Sequence, residues 1–246
     1  MKLSNNTILI TGGSSGIGLA LSKVLIEKGN TVIICGRSEA KLQAAKAQEP
    51  RLITYACDLG DTKACHDFAQ TLMRQHPALN IVINNAAIAH KIDFLQNDQA
   101  LAFAENEINT NLLAPIRLIK WLYPTISVNN NAAIINITTG LVYAPRAVYP
   151  FYNASKAALH SFTQTLRFNL RQEKTKVIEV LFPVVDTPWH GGAPPKIAIP
   201  VARAVAGMIK GLEKDKAEIK IGGVAILYWL SRIAPGFAFK KINQVT

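Results

Sequence analysis

The chain has 246 residues, enough to bury the core of one α/β domain, and no repeat, low-complexity tract or interdomain linker interrupts it. Its formal net charge of +11 indicates attraction to anions, but the charge is dispersed and forms no basic stripe interleaved with aromatic residues. The sequence therefore argues against nucleic-acid binding. Three cysteines without metal-ligand spacing, and an N-terminus that enters a strand pattern without a basic and then apolar leader, predict a cytoplasmic protein with reduced thiols and no metal.

The first predicted strand, residues 7–11, runs directly into a glycine-rich turn and then into a helical pattern. Glycine permits a tight turn and close approach of a pyrophosphate, whose charge is stabilised by the amides and dipole at the helix N-terminus. We therefore expect a dinucleotide cofactor at this turn. The candidate binding residues are Gly12, Ser14, Ser15, Gly16, Ile17 and Gly18.

The second predicted strand, residues 31–35, ends at a position that discriminates between NAD and NADP. An acidic residue there would hydrogen bond the ribose hydroxyls of NAD, and none is present. Arg37 can pair with the 2′-phosphate of NADP, Ser38 can both cap the next helix and donate to that phosphate, and Lys41 is a candidate second cation. The alternative is that Arg37 is an ordinary solvated arginine. We predict NADP(H) rather than NAD(H) as the cofactor.

The third predicted strand, residues 53–56, leads to Asp58 and Leu59. Asp58 is a candidate cofactor residue that could equally cap a helix predicted at residues 60–76. The fourth predicted strand, residues 79–83, leads to a further set of cofactor candidates, Asn85, Ala86 and Ala87. Because positive φ would strain an alanine, we expect an ordinary backbone conformation at Ala87.

A long helical pattern at residues 105–128 contains Asn111 and is interrupted by Pro115. A buried strand at residues 134–137 then leads to Thr139, and a helix that begins near Pro150 carries Tyr152 and Lys156. Four residues apart, these two side chains share one helix face. A neighbouring cation favours the phenolate, so we expect the pKa of Tyr152 to lie below its usual value of about 10 and closer to neutrality.

The motif Tyr152-Asn-Ala-Ser-Lys156, with the Thr139 hydroxyl upstream and the turn Thr11-Gly12-x-x-x-Gly16-x-Gly18, resembles the short-chain dehydrogenase/reductase (SDR) family. The resemblance covers about residues 5–190, and Thr139 stands where that family usually has serine. Alternating strands and helices predict the same fold class, a single α/β domain with a doubly wound, mostly parallel sheet of the Rossmann type. Within the family, the run up to Arg117 and the tail 221–243 look most like the bacterial DltE-type reductases.

The resemblance implies a role for each candidate residue. Thr139 and Tyr152 would hold a substrate carbonyl, with Tyr152 as general acid/base. Lys156 would lower the pKa of Tyr152 and hold the nicotinamide ribose, and Asn111 would maintain a proton path through a water on its main-chain carbonyl. Asp58 and Leu59 would contact the adenine. Val185 and Thr187 would contact the nicotinamide carboxamide and the phosphate.

The expected activity is hydride transfer between NADP(H) and a carbonyl or secondary alcohol. The alternative is an NADP(H)-sensing regulatory or scaffold protein without turnover. Residues 186–200 are predicted to form a substrate lid, in which Trp189 and His190 are candidate substrate contacts. A helix at 201–212 and a short strand at 217–221 follow, and the resemblance implies a homodimer or homotetramer that pairs helices 105–128 and 150–171.

The C-terminal apolar extension, residues 224–246, is too apolar for an ordinary exposed tail. Arg232 and Pro235 interrupt it, which argues against a transmembrane helix. Three covers remain open: the partner subunit, the chain's own substrate pocket, or weak contact with a membrane surface, the first two ranking above the third. The apolar stripe at helical spacing comprises Ile226, Leu227, Leu230, Ile233 and Phe237, flanked by Tyr228 and Trp229.

Overall fold

The computed structural model describes residues 1–244, and of His190 the main chain only. Val245 and Thr246, which end the predicted C-terminal extension, therefore lie outside the described residues. The strands, in chain order, are β1 (Thr7–Thr11), β2 (Thr31–Gly36), β3 (Ile53–Ala56), β4 (Leu79–Asn84), β5 (Ala133–Thr139), β6 (Lys176–Phe182), β7 (Val185–Asp186), β8 (Ile199–Pro200) and β9 (Glu218–Lys220). The α-helices are α1 (Gly16–Glu27), α2 (Glu39–Gln48), α3 (Thr62–Gln75), α4 (Ala100–Ile108), α5 (Ala114–Ser127), α6 (Pro150–Asn169), α7 (Val201–Glu213), α8 (Val224–Ile233) and α9 (Pro235–Asn243).

Within residues 1–244, seven strands form a parallel sheet in the order β3-β2-β1-β4-β5-β6-β9. This confirms the predicted doubly wound sheet. The direction of winding reverses between β1 and β4, so the crossovers on the two sides of this point leave a crevice beyond the carboxyl ends of these strands. Open α/β sheets bind their ligands at such a crevice.

The central strands are buried on both faces because their side chains alternate between two cores. Ile8 and Ile10 of β1 pack in one core, which includes Leu25 of α1 and residues of α7. Leu9, between them, packs in the other core with Leu118 of α5 and residues of α3. This burial explains why the strands read as continuous apolar runs in the sequence.

The helix predicted at residues 105–128 begins earlier and is divided into three parts. A π-helical turn at Asn109–Leu113 separates α4 from α5, and its wider spacing is seen in the hydrogen bond from Ala114 N to Asn109 O. Two residues after the end of this turn lies Pro115, which has no N–H to donate to the main-chain carbonyl of Asn111, four residues earlier. The site at which Pro115 interrupts the helix is therefore the π-helical turn.

Two other predicted boundaries were slightly too wide, and one capping alternative was wrong. The last strand covers Glu218–Lys220 rather than 217–221, and helix α3 covers Thr62–Gln75 rather than 60–76. Asp61, not Asp58, caps α3, because its Oδ1 accepts a hydrogen bond from Ala64 N at 2.7 Å. Asp58 instead accepts from Gly60 N at 3.0 Å in the preceding turn.

The three cysteines are buried and form no disulfide, as expected. Burial raises the pKa of the Cys57 thiol to about 12 and that of the Cys65 thiol to about 11, so both are protonated and unreactive at neutral pH. None of the helices between residues 1 and 244 combines the length and the apolar character needed to cross a bilayer.

The cap of α3 gives a matched pair of variants. Asp61→Ala should lower the free energy of unfolding by about 1 kcal/mol, because the Ala64 amide loses its side-chain partner. Asp58→Ala should cost clearly less, since it removes only a turn contact. Urea unfolding of both variants checks this, and equal losses of stability would contradict the assignment of the cap.

Candidate active site

A cleft of about 1170 Å³ lies at the carboxyl ends of the central strands. The structure brings the predicted catalytic residues Thr139, Tyr152 and Lys156 to this cleft, together with Lys41 and Trp189. Asn111 lies outside the cleft lining, and the side chain of His190 lies outside the described part of the molecule. Every cofactor candidate lines the cleft: Gly12, Ser14, Ser15, Gly16, Ile17, Gly18, Arg37, Ser38, Asp58, Leu59, Asn85, Ala86, Ala87, Val185 and Thr187.

The glycine turn between β1 and α1 leaves room that a side chain would fill. Gly12 and Gly16 have φ values of 64° and 53°, which only glycine adopts readily. A Cβ at Gly18 would lie 2.4 Å from the main-chain oxygen of Gly12, so the helix start can approach the turn only without one. Ser15, the N-cap residue, makes no side-chain cap hydrogen bond in the described structure. The first amides of α1 are therefore left for an anion, and a pyrophosphate fits this cradle.

Asn85 has a supporting role that the sequence alone did not predict. Its Nδ2 donates to the main-chain oxygen of Thr11 at 2.9 Å, and its main-chain N donates to Thr11 Oγ1 at 2.9 Å. These bonds tie the end of β4 to the glycine turn. Ala87 beside it is absent from the residues with positive φ among those described, as expected.

The cations predicted to select the cofactor stand at the end of β2. Arg37 is exposed and forms no ion pair with any residue whose side chain is described. Ser38 caps α2 by accepting from Lys41 N at 3.3 Å, which confirms its predicted capping role. Lys41 is exposed and lines the cleft. Both cations are thus available to a phosphate.

Thr139 and Tyr152 meet where β5 ends and α6 begins. Thr139 is buried, and its Oγ1 accepts from Leu141 N at 3.3 Å at the start of a short 3-10 turn. The Tyr152 phenol lines the same cleft, and the neighbouring Thr139 hydroxyl acts to lower the pKa of that phenol. The side chains of the two residues therefore bring neighbouring hydroxyl groups to the cleft.

Lys156 is almost fully buried one turn further along α6. Its Nζ donates to the main-chain oxygen of Ile137 in β5 at 2.9 Å. Burial lowers the pKa of Lys156 to about 8, and the nearby Glu179 carboxylate opposes this shift. Lys156 is therefore mostly protonated at neutral pH, but its pKa is close enough to neutrality for it to exchange a proton.

The expected lowering of the pKa of Tyr152 toward neutrality was wrong for this structure. Burial raises the pKa of Tyr152 to about 12, and the lowering effect of the Thr139 hydroxyl only partly opposes this rise. The physical reason is that desolvation disfavours the phenolate, while the Lys156 ammonium donates to the Ile137 carbonyl. The phenol is protonated at neutral pH.

Asn111 lies in the π-helical turn, with both side-chain amide groups satisfied. Its Oδ1 accepts from Ile88 N at 2.9 Å, and its Nδ2 donates to Ile88 O at 2.8 Å and to Ser155 Oγ at 3.1 Å. The side chain therefore joins the loop after β4 to α6, in the helical turn that separates Tyr152 from Lys156. Its main-chain carbonyl, which lacks an α-helical donor because of Pro115, remains able to accept from water.

The residues after β6 close the other side of the cleft. Val185 is buried, and the side chain of Thr187 lies 3.4 Å from the position that a Cβ on Gly16 would occupy. The half-exposed Trp189 ring has its centroid 5.8 Å from that of Tyr149 and 6.3 Å from that of Tyr152. The predicted lid segment thus lies beside the Tyr152 ring.

The sequence analysis did not predict two pairs of a glutamate and a histidine that lie near the site. Glu107 is fully buried and accepts from His90 Nδ1 and from His90 N, both at 2.8 Å. His90 lines the cleft, stacked on Phe103 with ring centroids 3.9 Å apart. No spacing rule could have found this pair, because its members lie 17 residues apart on unrelated elements.

The second pair, Glu179 with His160, lies beneath Lys156. Glu179 Oε1 accepts from His160 Nδ1 at 2.8 Å and also from Thr138 Oγ1. The sequence did contain a signal for this second pair. A glutamate inside the apolar strand β6 must be buried, and a buried carboxylate needs a hydrogen-bonding partner.

Comparison with known proteins assigns the chain to a family. A family model for short chain dehydrogenases matches residues 6–197. The uncharacterized oxidoreductase DltE of Bacillus subtilis is 48% identical over 187 residues, which cover 76% of this chain and 74% of that protein. The chain belongs to the short-chain dehydrogenase family and is an oxidoreductase of that family. The resemblance to the SDR family and its DltE-type members is thereby confirmed.

Solved structures share the fold at low identity. A short chain dehydrogenase from Burkholderia cenocepacia in complex with NADP has a TM-score of 0.86 at 23% identity and covers 98% of this chain and 99% of its own. An SDR from Burkholderia phymatum in complex with NAD has a TM-score of 0.82 at 16% identity, with 96% of each chain covered. The same fold thus accompanies either nicotinamide cofactor.

The burial of Lys156 makes its titration measurable. Its ammonium should lose its proton near pH 8, so the group is charged below that pH and neutral above it. Lysine Cε NMR signals followed against pH should contain one such signal, and it should be missing in Lys156→Met. In Glu179→Gln the pKa should fall further, because a carboxylate that stabilises the charge is lost. A signal of Lys156 that titrates with the exposed lysines would contradict the proposed environment.

Proposed function

We propose that this protein is an NADP(H)-dependent oxidoreductase that interconverts a carbonyl and a secondary alcohol, with Tyr152 as general acid/base. The observation that carries the proposal is the placement of Thr139, Tyr152 and Lys156 in the same cleft as the glycine turn. The bound cofactor would supply or accept the hydride. The glycine turn and the first amides of α1 would hold its pyrophosphate.

In the reduction direction, the chain's own residues position the substrate and supply a proton. The carbonyl oxygen accepts hydrogen bonds from Thr139 and Tyr152. Because the pKa of Tyr152 is raised to about 12, its phenol is protonated at neutral pH and can protonate the oxygen as negative charge develops. In the opposite direction, the same oxygen of Tyr152 takes the alcohol proton.

Lys156 and Asn111 support the proton transfer. The Lys156 ammonium is charged at neutral pH and stabilises negative charge on the phenol oxygen after the proton has left. Its pKa near 8 lets it pass a proton onward. The main-chain carbonyl of Asn111, which receives no bond from Pro115, would hold a water on the way to solvent, and the bond from Asn111 to Ser155 would keep this carbonyl beside α6.

The preference for NADP(H) rests on the residues at the end of β2. Arg37 and Lys41 border the cleft there, and no carboxylate occupies the position that would hydrogen bond the ribose hydroxyls of NAD. The similar folds bind NADP in one case and NAD in another, so the fold itself does not decide the matter. A guanidinium can pair with a phosphate through two hydrogen bonds.

The cleft also favours apolar substrates. Val224, Leu227 and Leu230 of α8 line it, and Val224 packs against Gly140, next to Thr139. Part of the predicted C-terminal extension thus covers the substrate side of the fold. Self-association through helices α4 to α6 stays a prediction.

Substitutions at the two hydroxyls test the chemistry. Tyr152→Phe should lower kcat by about 10²- to 10⁴-fold, the usual contribution of a positioned acid or base. Thr139→Val, which keeps the shape, should lose most activity, whereas Thr139→Ser should retain it. NADPH absorbance with a panel of aldehydes and ketones measures this, with NADPH binding as the control for folding. Equal rates for the threonine and valine proteins would contradict the role of Thr139. NADPH binding without turnover in the unmodified protein would favour the sensing alternative.

The cofactor preference is tested at Arg37. Arg37→Asp should weaken NADPH binding roughly 10- to 100-fold, because a charge-assisted hydrogen bond is replaced by repulsion. NADH binding should change little. Lys120→Asp on α5 is the matched control, since it makes the same change of net charge outside the cleft lining. Titration with both cofactors checks this, and an unchanged NADPH affinity would remove Arg37 from the site.

A further inference from the structure

Helices α8 and α9 carry large apolar side chains that no described part of the chain covers. The predicted stripe is divided, because Leu227 and Leu230 are partly buried at the cleft while its other members face outward. We call the exposed set the C-terminal apolar surface. It consists of Ile226, Trp229, Ile233, Phe237 and Phe239, which are 73%, 62%, 80%, 58% and 48% exposed. An exposed apolar surface of this kind marks a site of contact with another protein or with a membrane.

The charged side chains of α8 and α9 have one sign. The two helices contain no aspartate or glutamate, but they contain Arg232, Lys240 and Lys241. Lys220, which precedes them, is paired with Glu218. Arg232 lies exposed in the last turn of α8, and the exposed Lys240 and Lys241 lie in the last turn of α9. Apolar side chains on two helices whose charged residues are all cations match a surface that is apolar inside and anionic outside.

The surface is attached to the rim of the cleft. Ile226 and Ile242 line the cleft, the former while largely exposed. Asn243 of α9 accepts from Ala147 N at 2.6 Å and donates to Pro145 O at 3.1 Å, so the end of α9 is held to the loop that precedes α6. The exposed face and the opening toward Tyr152 therefore belong to one region of the molecule.

We propose that the C-terminal apolar surface docks this protein on an anionic lipid bilayer, where the cleft receives apolar carbonyl or alcohol substrates dissolved in the lipid. The statement about substrates rests on the proposed function, whereas the docking does not. A second copy of the chain fits this surface less well. A two-fold interface pairs a patch with itself, so the same cations would face each other without a carboxylate between them.

The binding test is flotation of the full chain with vesicles. Vesicles of equimolar phosphatidylglycerol and phosphatidylcholine should carry the protein upward, and vesicles of phosphatidylcholine alone should carry far less. Lys240→Gln/Lys241→Gln should weaken partitioning roughly 30-fold, at about fivefold per cation near an anionic surface. Ile233→Ser/Phe237→Ser should also lose binding. These residues lie outside the cleft lining, so cofactor binding should be unchanged.

Lys120→Gln/Lys174→Gln is the matched control, because it removes the same charge elsewhere and should float like the unmodified protein. Absence of the unmodified protein from the floating fraction with anionic vesicles would overturn the docking proposal. Equal flotation with neutral vesicles, or an equal loss in the control, would overturn the role of the cations. Light scattering that showed Ile233→Ser/Phe237→Ser converting a dimer into monomers would assign the surface to self-association instead.

The substrate statement has its own readout. With a long-chain aldehyde dissolved in anionic vesicles, Lys240→Gln/Lys241→Gln should raise KM, while KM for a short water-soluble aldehyde should stay unchanged. Equal changes for both substrates would overturn delivery from the bilayer even where flotation succeeds. Normal flotation of a protein that reduces neither aldehyde would instead count against the proposed function alone.

Discussion

The burial of Lys156 is the constraint on which the arrangement of the site depends. Its hydrogen bond to the Ile137 carbonyl fixes α6 to β5, just before that strand ends at Thr139. A buried ammonium is costly, and the structure offsets the cost with the carboxylate of Glu179 on the neighbouring strand. That carboxylate is itself fully buried and is held by His160 and by a threonine hydroxyl. The charges beneath the site thus form one connected group.

This arrangement sets the protonation states from which the proposed chemistry starts. Tyr152 lies in a desolvated place and keeps its proton, whereas Lys156 has a pKa near 8 and is poised to exchange one. Two groups whose environments move their pKa values in opposite directions are typical of a site that transfers protons. The glycine turn, fixed to β4 through Asn85, adds an anion cradle to the same cleft. The proposed cofactor binding and the proposed proton transfer therefore both depend on neighbouring strand ends.

The sequence predicted the features that depend on local pattern. The glycine turn and the winding of the sheet follow from motifs and periodicity, and the expectation that Thr139 lies with Tyr152 in one site follows from the resemblance to the SDR family. The sequence did not predict contacts that arise only when distant elements meet, such as Glu107 with His90. The predicted direction of the pKa shift of Tyr152 was also wrong. Helix spacing does not reveal how much water the folded cleft excludes. The capping alternative considered for α3 also lay one turn too early, at Asp58 rather than Asp61, because capping propensity does not distinguish two aspartates three residues apart.

The central claim is that hydride passes between the nicotinamide and a carbonyl carbon held at Tyr152. The most direct test follows deuterium from NADPH labelled at the nicotinamide C4 into an aldehyde or ketone incubated with the unmodified protein and with Tyr152→Phe. The account predicts that the label appears on the former carbonyl carbon of the alcohol and that its transfer is largely lost in the variant. Tight NADPH binding without transfer to any of the carbonyl compounds, or transfer that is equally fast in Tyr152→Phe, would contradict it.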